Sequence, residues 1–206
     1  MELQTEVAKD LLRIEAVQIK TNEADYFTWT SGIKSPIYCD NRLTMSYPEV
    51  RKKIVTAFKA MLESLPYKPD VIAGCATAGI PHAAWLAEAL DLPMVYVRSK
   101  PKGHGKENQI EGLVEKGQRA IVIEDLISTG GSSIEAADAL KDQGVEVEAV
   151  FAIFTYGLQK ALNRFEEAAY PLHTITGFDH LLAALLDDQV ITSEEKENLL
   201  TWRNQL

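Results

Sequence analysis

The residues with the clearest chemistry lie in one segment, which reads IVIEDLISTGGSS from Ile121 to Ser133. An apolar run is followed by two adjacent carboxylates and then by hydroxyl groups and glycines. Backbone amides at the start of a helix, with hydroxyl groups beside them, bind phosphate. Glycine lets the backbone turn sharply and approach a ligand closely. The residues predicted to form this phosphate site are Ser128, Thr129, Gly130, Gly131 and Ser132.

The two carboxylates, Glu124 and Asp125, have a different expected partner because an anion repels phosphate. They can accept hydrogen bonds from ribose hydroxyls or help to hold Mg²⁺. The sequence contains neither G-x-x-x-x-G-K-[ST] nor G-x-G-x-x-G after a strand, so two common nucleotide-binding loops are excluded. A plain helix cap and a plain turn would explain any two of these features, but they do not explain all of them in this order.

Two further segments suit an anionic ligand. Gly74 to Gly79 follows an apolar run and precedes a helical pattern, and its small residues, with Ala76 and Thr77 among them, leave backbone amides free for an anion. Alone this signal is weak, because many loops between a strand and a helix carry glycine and alanine. The second segment predicts a mobile, positively charged lid, since proline and glycine oppose regular structure there. Its four cations are Arg98, Lys100, Lys102 and Lys106, and His104 lies among them.

The elements that must position these residues follow an alternating pattern. Apolar runs predict strands, and helical patterns separate them. This alternation predicts an α/β fold with a doubly wound parallel sheet, in which ligands bind beyond the carboxyl ends of the strands. The predicted strands are 71–73, 94–97, 120–123 and 147–154, and the predicted helices are 2–18, 80–90, 133–143, 158–168 and 193–204. A further helix is predicted to begin at a capping box in Ser46–Glu49, and the last helix is predicted to begin at a capping box in Thr192–Glu195. His180 is predicted to lie in a loop.

Composition limits the possible partners. The 206 residues suit one domain, and the net charge of −9 argues against nucleic acid and against an anionic membrane surface. No apolar run reaches the roughly 18 residues that a membrane span needs, and the N-terminus lacks the features of a secretory signal. Two widely separated cysteines, Cys39 and Cys75, are expected to be reduced thiols. We therefore expect a cytoplasmic protein.

The segment from Glu124 to Ser133 resembles the phosphoribosyl pyrophosphate signature of the type I phosphoribosyltransferases. Two other stretches resemble the orotate phosphoribosyltransferase family in particular. One is the Arg-x-x-x-Lys-x-His-Gly spacing that begins at Arg98, and the other is the Phe-Thr-x-x-Ser-Gly-x-x-Ser-Pro pattern that begins at Phe27. The family implies that residues 1–65 form a small hood with the base pocket and that residues 66–206 form the α/β core. The resemblance implies that Phe27, Thr30, Ser31 and Tyr156 belong to this base pocket.

The resemblance also implies a reaction, in which the ribose 5-phosphate group of phosphoribosyl pyrophosphate is joined to orotate during UMP synthesis. Glu124 and Asp125 would face the ribose hydroxyls, Ala76 and Thr77 the pyrophosphate, and Mg²⁺ would be bound mainly through the substrate. Lys102, His104, Arg98 and Asp125 are the expected catalytic residues, and a homodimer would share the lid between subunits.

The chain departs from the family at the base pocket, because some members carry lysine at the position of Thr30 and arginine at that of Tyr156. Two alternatives stay open at this stage. A related enzyme would use a purine or another pyrimidine base. A non-catalytic regulator would bind DNA through a basic N-terminal helix, although residues 2–20 are not basic enough for that.

Overall fold

The computed structural model describes residues 2–29, 32–99 and 109–206. Helices and strands alternate along most of this length, after a short N-terminal part that contains four small strands. The helices are α1 (Glu2–Arg13), α2 (Pro48–Glu63), α3 (Gly79–Leu90), α4 (Gly131–Asp142), α5 (Gln159–Ala168), α6 (Phe178–Asp187) and α7 (Ser193–Asn204). The strands are β1 (Val17–Ile19), β2 (Phe27–Thr28), β3 (Lys34–Ser35), β4 (Ile37–Cys39), β5 (Val71–Cys75), β6 (Met94–Val97), β7 (Ile110–Glu111), β8 (Arg119–Ile127), β9 (Glu146–Thr155) and β10 (Leu172–Gly177).

The central sheet has six strands in the order β10-β9-β8-β5-β6-β7. Five of them are parallel, and β7 pairs antiparallel with β6 at one edge. Since parallel strands end at the same edge, the segments after β5, β6, β8 and β9 meet there. The N-terminal strands form two separate pairs, β1 with β4 and β2 with β3.

The sheet is buried on both faces, and strand alternation divides the core into two parts. In β8, Ile121 and Ile123 face the part covered by α1, α2, α3 and α6, while Ala120 and Val122 face the part covered by α4 and α5. Consecutive side chains of a strand point to opposite faces, so a near-continuous apolar run marks a strand covered on both sides. The predicted α/β fold with a doubly wound, largely parallel sheet is therefore confirmed.

Three local predictions were wrong. Helix α1 ends at Arg13, because Glu15 has φ +58° and Val17–Ile19 instead pairs with Ile37–Cys39. Ser46 does not cap α2, since it closes a 3₁₀ helix and Tyr47 occupies the cap position without a side-chain hydrogen bond. His180 lies within α6, where Leu181, Leu182 and Leu185 are buried.

Other local predictions are confirmed. Thr192 and Glu195 form the expected capping box at the start of α7, with each residue hydrogen-bonded to the backbone of the other. Cys39 and Cys75 are free and buried, and burial raises the pKa of both thiols. Across residues 2–29, 32–99 and 109–206, no helix has both the length and the apolarity to span a bilayer.

Candidate active site

The turn between β8 and α4 has the backbone shape of an anion site. Gly130 has φ +77°, and a Cβ atom there would lie 2.7 Å from Cε2 of Phe165, so glycine is required both for conformation and for space. Gly131 opens α4, and no acidic residue lies in its first turn. Ser128, Thr129 and Ser132 remain at least partly accessible beside these amides. The five residues predicted from the sequence are thus brought together at a helix N-terminus, where the helix dipole favours negative charge.

The two adjacent carboxylates before this turn have different surroundings. Glu124 is only 6% exposed, and it accepts hydrogen bonds from the Ser132 hydroxyl (3.1 Å) and from the backbone N–H of Asp125 (3.1 Å). Asp125 is less buried and lines an open cavity of about 630 Å³ with Thr77 and Ala78. Burial is the main reason that the pKa of both carboxyls is raised, and the neighbouring charge of Asp125 raises that of Glu124 further. Of the two acids, Asp125 is therefore the one that faces the cleft.

The loop after β5 lies on the other side of that cleft. The peptide bond between Ala76 and Thr77 is cis, and Thr77 is exposed toward the cavity that Asp125 lines. Gly79 packs directly against the backbone carbonyl of Ile123, where no side chain fits. This close contact brings the start of α3 against β8, so the two predicted anion loops are neighbours in space.

The base of the predicted lid is fixed by two strands. The backbone N–H of Arg98 donates to the carbonyl of Gln109 (2.9 Å), and β6 pairs with β7 just beyond. The Arg98 guanidinium lies 3.4 Å from a carboxylate oxygen of Glu111. The residues that flank the segment, Arg98 and Gln109, therefore both lie at the carboxyl edge of the sheet. Lys100, Lys102, His104 and Lys106 lie outside the described residues.

A second cavity, of about 530 Å³, lies between the N-terminal strands and the ends of β8 and β9. Trp29 and Tyr156 form its aromatic wall, with their rings stacked at 5.0 Å and 28°. Ser128 and Thr129 line the same cavity, so it is continuous with the predicted phosphate turn. We call this space, lined by Thr28, Trp29, Ile33, Tyr38, Cys39, Leu126, Ser128, Thr129, Tyr156, Leu158, Lys160 and Leu206, the aromatic cavity.

The predicted base-pocket residues are only partly assembled around the aromatic cavity. Tyr156 lines it, and burial raises the pKa of its phenol, so this side chain is neutral. Phe27 does not line it but packs behind Tyr38, with ring centroids 5.6 Å apart. Thr30 and Ser31 lie outside the described residues.

The sequence interpretation missed a group of polar residues behind the cleft. Asn41 is fully buried, and its side-chain amide donates to the backbone carbonyl of Asp125 (2.6 Å) across 84 positions of sequence. The Thr44 hydroxyl donates to the carbonyl of Asn41 and lies 3.4 Å from Nε2 of His82. Burial lowers the pKa of His82 to about 4, so the ring is neutral at pH 7. The isolated asparagine carried no signal that could have marked it.

Two cations at the cleft were also missed. Arg42 lines the cavity of Asp125 and Thr77, where its guanidinium is paired with Asp40 (2.6 Å). Lys160 lies in the first turn of α5 and lines the aromatic cavity. Neither residue stands in a recognisable motif, and their position at the cleft depends on the packing of separate elements.

Residues 46–169 match the family described as the phosphoribosyl transferase domain. A relative from Oceanobacillus iheyensis, named orotate phosphoribosyltransferase, is 61% identical over 201 residues, which cover 98% of each chain. The solved structure of UMP synthase from Leishmania donovani is similar with a TM-score of 0.80 and 28% identity, covering 98% of this chain and 42% of that one. The crystal structure of orotate phosphoribosyltransferase from Aeropyrum pernix has a TM-score of 0.76 and 26% identity, covering 90% of this chain and 99% of that one.

Proposed function

Since this chain belongs to the orotate phosphoribosyltransferase family, we propose that it transfers the ribose 5-phosphate group of phosphoribosyl pyrophosphate to orotate. The products are orotidine 5′-monophosphate and pyrophosphate. One observation carries the proposal: the phosphate turn at Ser128 and Thr129 forms part of the wall of the aromatic cavity. A sugar phosphate held by that turn would place its anomeric carbon between the cavity and the cleft of Asp125.

The proposed roles follow from the charges that develop in the reaction. Departure of pyrophosphate leaves positive charge on the ribose and negative charge on the leaving group, so catalysis consists of positioning and of stabilising these charges. Asp125 accepts hydrogen bonds from the ribose hydroxyls, and its position at the cleft supports this role. Glu124 holds Ser132 in the phosphate turn. Arg98, Lys102 and His104 neutralise the departing pyrophosphate, and closure of the lid excludes water from the cationic sugar.

We propose that Mg²⁺ accompanies the pyrophosphorylated sugar. In the described part of the chain, no cluster of three or more histidine, cysteine or acidic side chains could hold a metal ion alone. The oxygen donor that faces the cleft is Asp125, with the buried Glu124 beside it, an arrangement that suits a cation carried mainly by phosphate oxygens. When bound, the ion supplies charge neutralisation on the leaving group.

The proposal is tested by following the loss of orotate absorbance after protein, phosphoribosyl pyrophosphate and Mg²⁺ are mixed. We expect stoichiometric conversion to orotidine 5′-monophosphate and no conversion when a chelator removes Mg²⁺. Adenine, guanine, hypoxanthine and uracil should release far less pyrophosphate under the same conditions. Release with a purine and none with orotate would reject the proposal and favour the alternative base.

We further propose a homodimer in which each lid acts at the partner's site. The segment from β4 to the residue before α2 exposes large apolar side chains beside the cleft, which supports contact with a second copy. These residues are Tyr38, Leu43, Met45 and Tyr47, each 36–40% exposed. A cytoplasmic location is part of the same proposal, because the reaction needs only soluble substrates.

Shared sites can be tested by mixing two inactive variants. Lys102→Ala should lower kcat by about 10²-fold or more, the usual effect of removing one preorganised charge. Asp125→Asn removes a group from the other half of the same site. If lids act across the interface, a mixture of the two variants regains activity, because some heterodimers contain one intact site. Activity that stays at the level of the separate variants would place each lid over its own subunit's site.

A further inference from the structure

The base in the proposed reaction carries a carboxylate next to the nitrogen that attacks the sugar. A buried or partly buried carboxylate needs a charged or strongly polar partner. At the position where some family members have arginine, this chain has Tyr156, whose phenol is neutral in its buried setting. The Tyr156 phenol can donate a hydrogen bond but carries no positive charge, so a cation elsewhere in the site would have to replace that of the arginine.

We infer that the ammonium group of Lys160 binds the carboxylate of the base and makes the aromatic cavity selective for a carboxylated pyrimidine. The inference rests on the proposed function and extends it to a specificity-determining residue. Lys160 lines the cavity together with Ser128 and Thr129, through which the phosphate turn, and with it the bound sugar, borders the cavity. A carboxylate adjacent to the reacting nitrogen would lie on that same side of the cavity.

The polar groups of the aromatic cavity single out Lys160. Its other polar side chains are the hydroxyls of Thr28, Tyr38, Ser128, Thr129 and Tyr156, and no aspartate or glutamate side chain is among its described lining residues. The Trp29 indole N–H already donates to the carbonyl of Ile37 (3.1 Å). Lys160 thus supplies the positive side-chain charge within the described wall.

Neighbouring cations are already engaged. The Lys34 ammonium donates to the Thr28 hydroxyl (2.8 Å), and the Arg164 guanidinium donates to the backbone carbonyl of Thr129 (3.3 Å). Lys160, by contrast, forms no hydrogen bond through its side chain and no ion pair with residues in the described ranges. Its ammonium group is therefore available to a ligand without first breaking a contact.

The start of α5 strengthens the same site. Lys160 is the second residue of α5, and Leu158 at the cap position has no side-chain hydrogen bond to the first turn. No acidic residue lies in that turn. Backbone amides at a helix N-terminus favour an anion, so the helix and the lysine act in the same direction.

Steady-state kinetics of Lys160→Gln tests the inference. Hydrogen bonds to charged groups contribute enough that their loss should raise KM for orotate by about 10- to 100-fold. KM for phosphoribosyl pyrophosphate should stay within about 2-fold, because the variant leaves the phosphate turn intact. Lys160→Arg should recover much of the loss, and the preference for orotate over uracil, which lacks the carboxylate, should fall with the charge. Lys68→Gln is the matched control, because this exposed lysine precedes β5 at the opposite edge of the sheet.

The outcomes separate the inference from the proposed function. If the wild-type protein converts orotate and Lys160→Gln leaves its KM unchanged, the carboxylate is held elsewhere and the inference is wrong, while the proposed function stands. A parallel rise of KM for both substrates would assign Lys160 a general structural role and would also overturn the inference. If the wild-type protein does not convert orotate at all, the proposed function fails and the inference fails with it.

Discussion

The phosphate turn and the aromatic cavity share Ser128 and Thr129 but are built in different ways. The turn is formed by consecutive residues between β8 and α4, and its backbone shape depends mainly on Gly130 and Gly131. The aromatic cavity is assembled from four separate parts of the chain, which bring Trp29, Tyr156 and Lys160 together. A local motif specifies the first site, whereas tertiary packing creates the second.

This difference has a functional consequence. A sugar phosphate presents the same groups in every phosphoribosyltransferase, so one continuous turn can serve them all. The base differs between enzymes, and a cavity built from several segments can change one wall without disturbing the turn. Substitutions in the turn should therefore affect KM for phosphoribosyl pyrophosphate, and substitutions in the aromatic cavity should affect KM for the base.

The largest effect is expected for Asp125→Asn, because Asp125 is the acid of the motif that faces the cleft. Loss of this preorganised charge should lower kcat/KM for phosphoribosyl pyrophosphate by about 10²- to 10³-fold. Asp142→Asn is a suitable control, because Asp142 is exposed at the far end of α4. Steady-state kinetics of both variants measures the effect. Equal kcat/KM values for the two variants would show that Asp125 has no role in the reaction.

A smaller effect, confined to the base, is expected for Trp29→Ala. Its ring stacks on Tyr156 at 5.0 Å, and loss of this wall should raise KM for orotate by about 10-fold while leaving the other KM unchanged. Trp29→Phe keeps an aromatic face and should lose less. Trp85→Ala, on α3, controls for the general loss of an indole. A comparable rise in both KM values would show that the two regions are not independent.

Gly130→Ala should act at the turn through conformation and space. The left-handed φ of +77° and the 2.7 Å approach to Phe165 should together cost about 1–3 kcal/mol of unfolding free energy and raise KM for phosphoribosyl pyrophosphate. Gly117 has φ +88° with open space around it, so Gly117→Ala measures the conformational part alone. Chemical denaturation of both variants separates the two contributions. Equal losses of unfolding free energy in the two variants would mean that the Phe165 ring moves aside without a measurable energetic penalty.

The smallest loss of activity is expected for Glu124→Gln, together with a gain in stability. The pKa of Glu124 is raised in the folded protein, so the folded state binds its proton more tightly than the unfolded state does. Ionisation therefore costs stability as pH rises above the ordinary glutamate range, and the neutral amide removes that cost. Tm of the variant should exceed that of the wild type at pH 7 and above, and the gain should shrink toward pH 4. A Tm that is lower at every pH would contradict this account.

Much of the fold could be predicted from the sequence because its signals are local. The apolar runs of β5, β6, β8 and β9 predict strands, and Thr192 and Glu195 predict the capping box of α7. Failures occurred where neighbours in space overrode local preference. Val17–Ile19 falls within the first predicted helix but forms a strand that pairs with Ile37–Cys39. Ser46 does not cap α2, because it is the last residue of the preceding 3₁₀ helix.

The sequence by itself determined the phosphate turn, because glycines, hydroxyls and the start of a helix need only be consecutive to form it. Only the tertiary structure decided which of two adjacent acids faces the cleft, since burial beside Ser132 separates Glu124 from Asp125. The tertiary structure also placed Asn41 behind Asp125, and it placed Lys160 in the wall of the cavity that Trp29 lines. Such contacts depend on strand order and helix packing, which join residues that no local pattern relates.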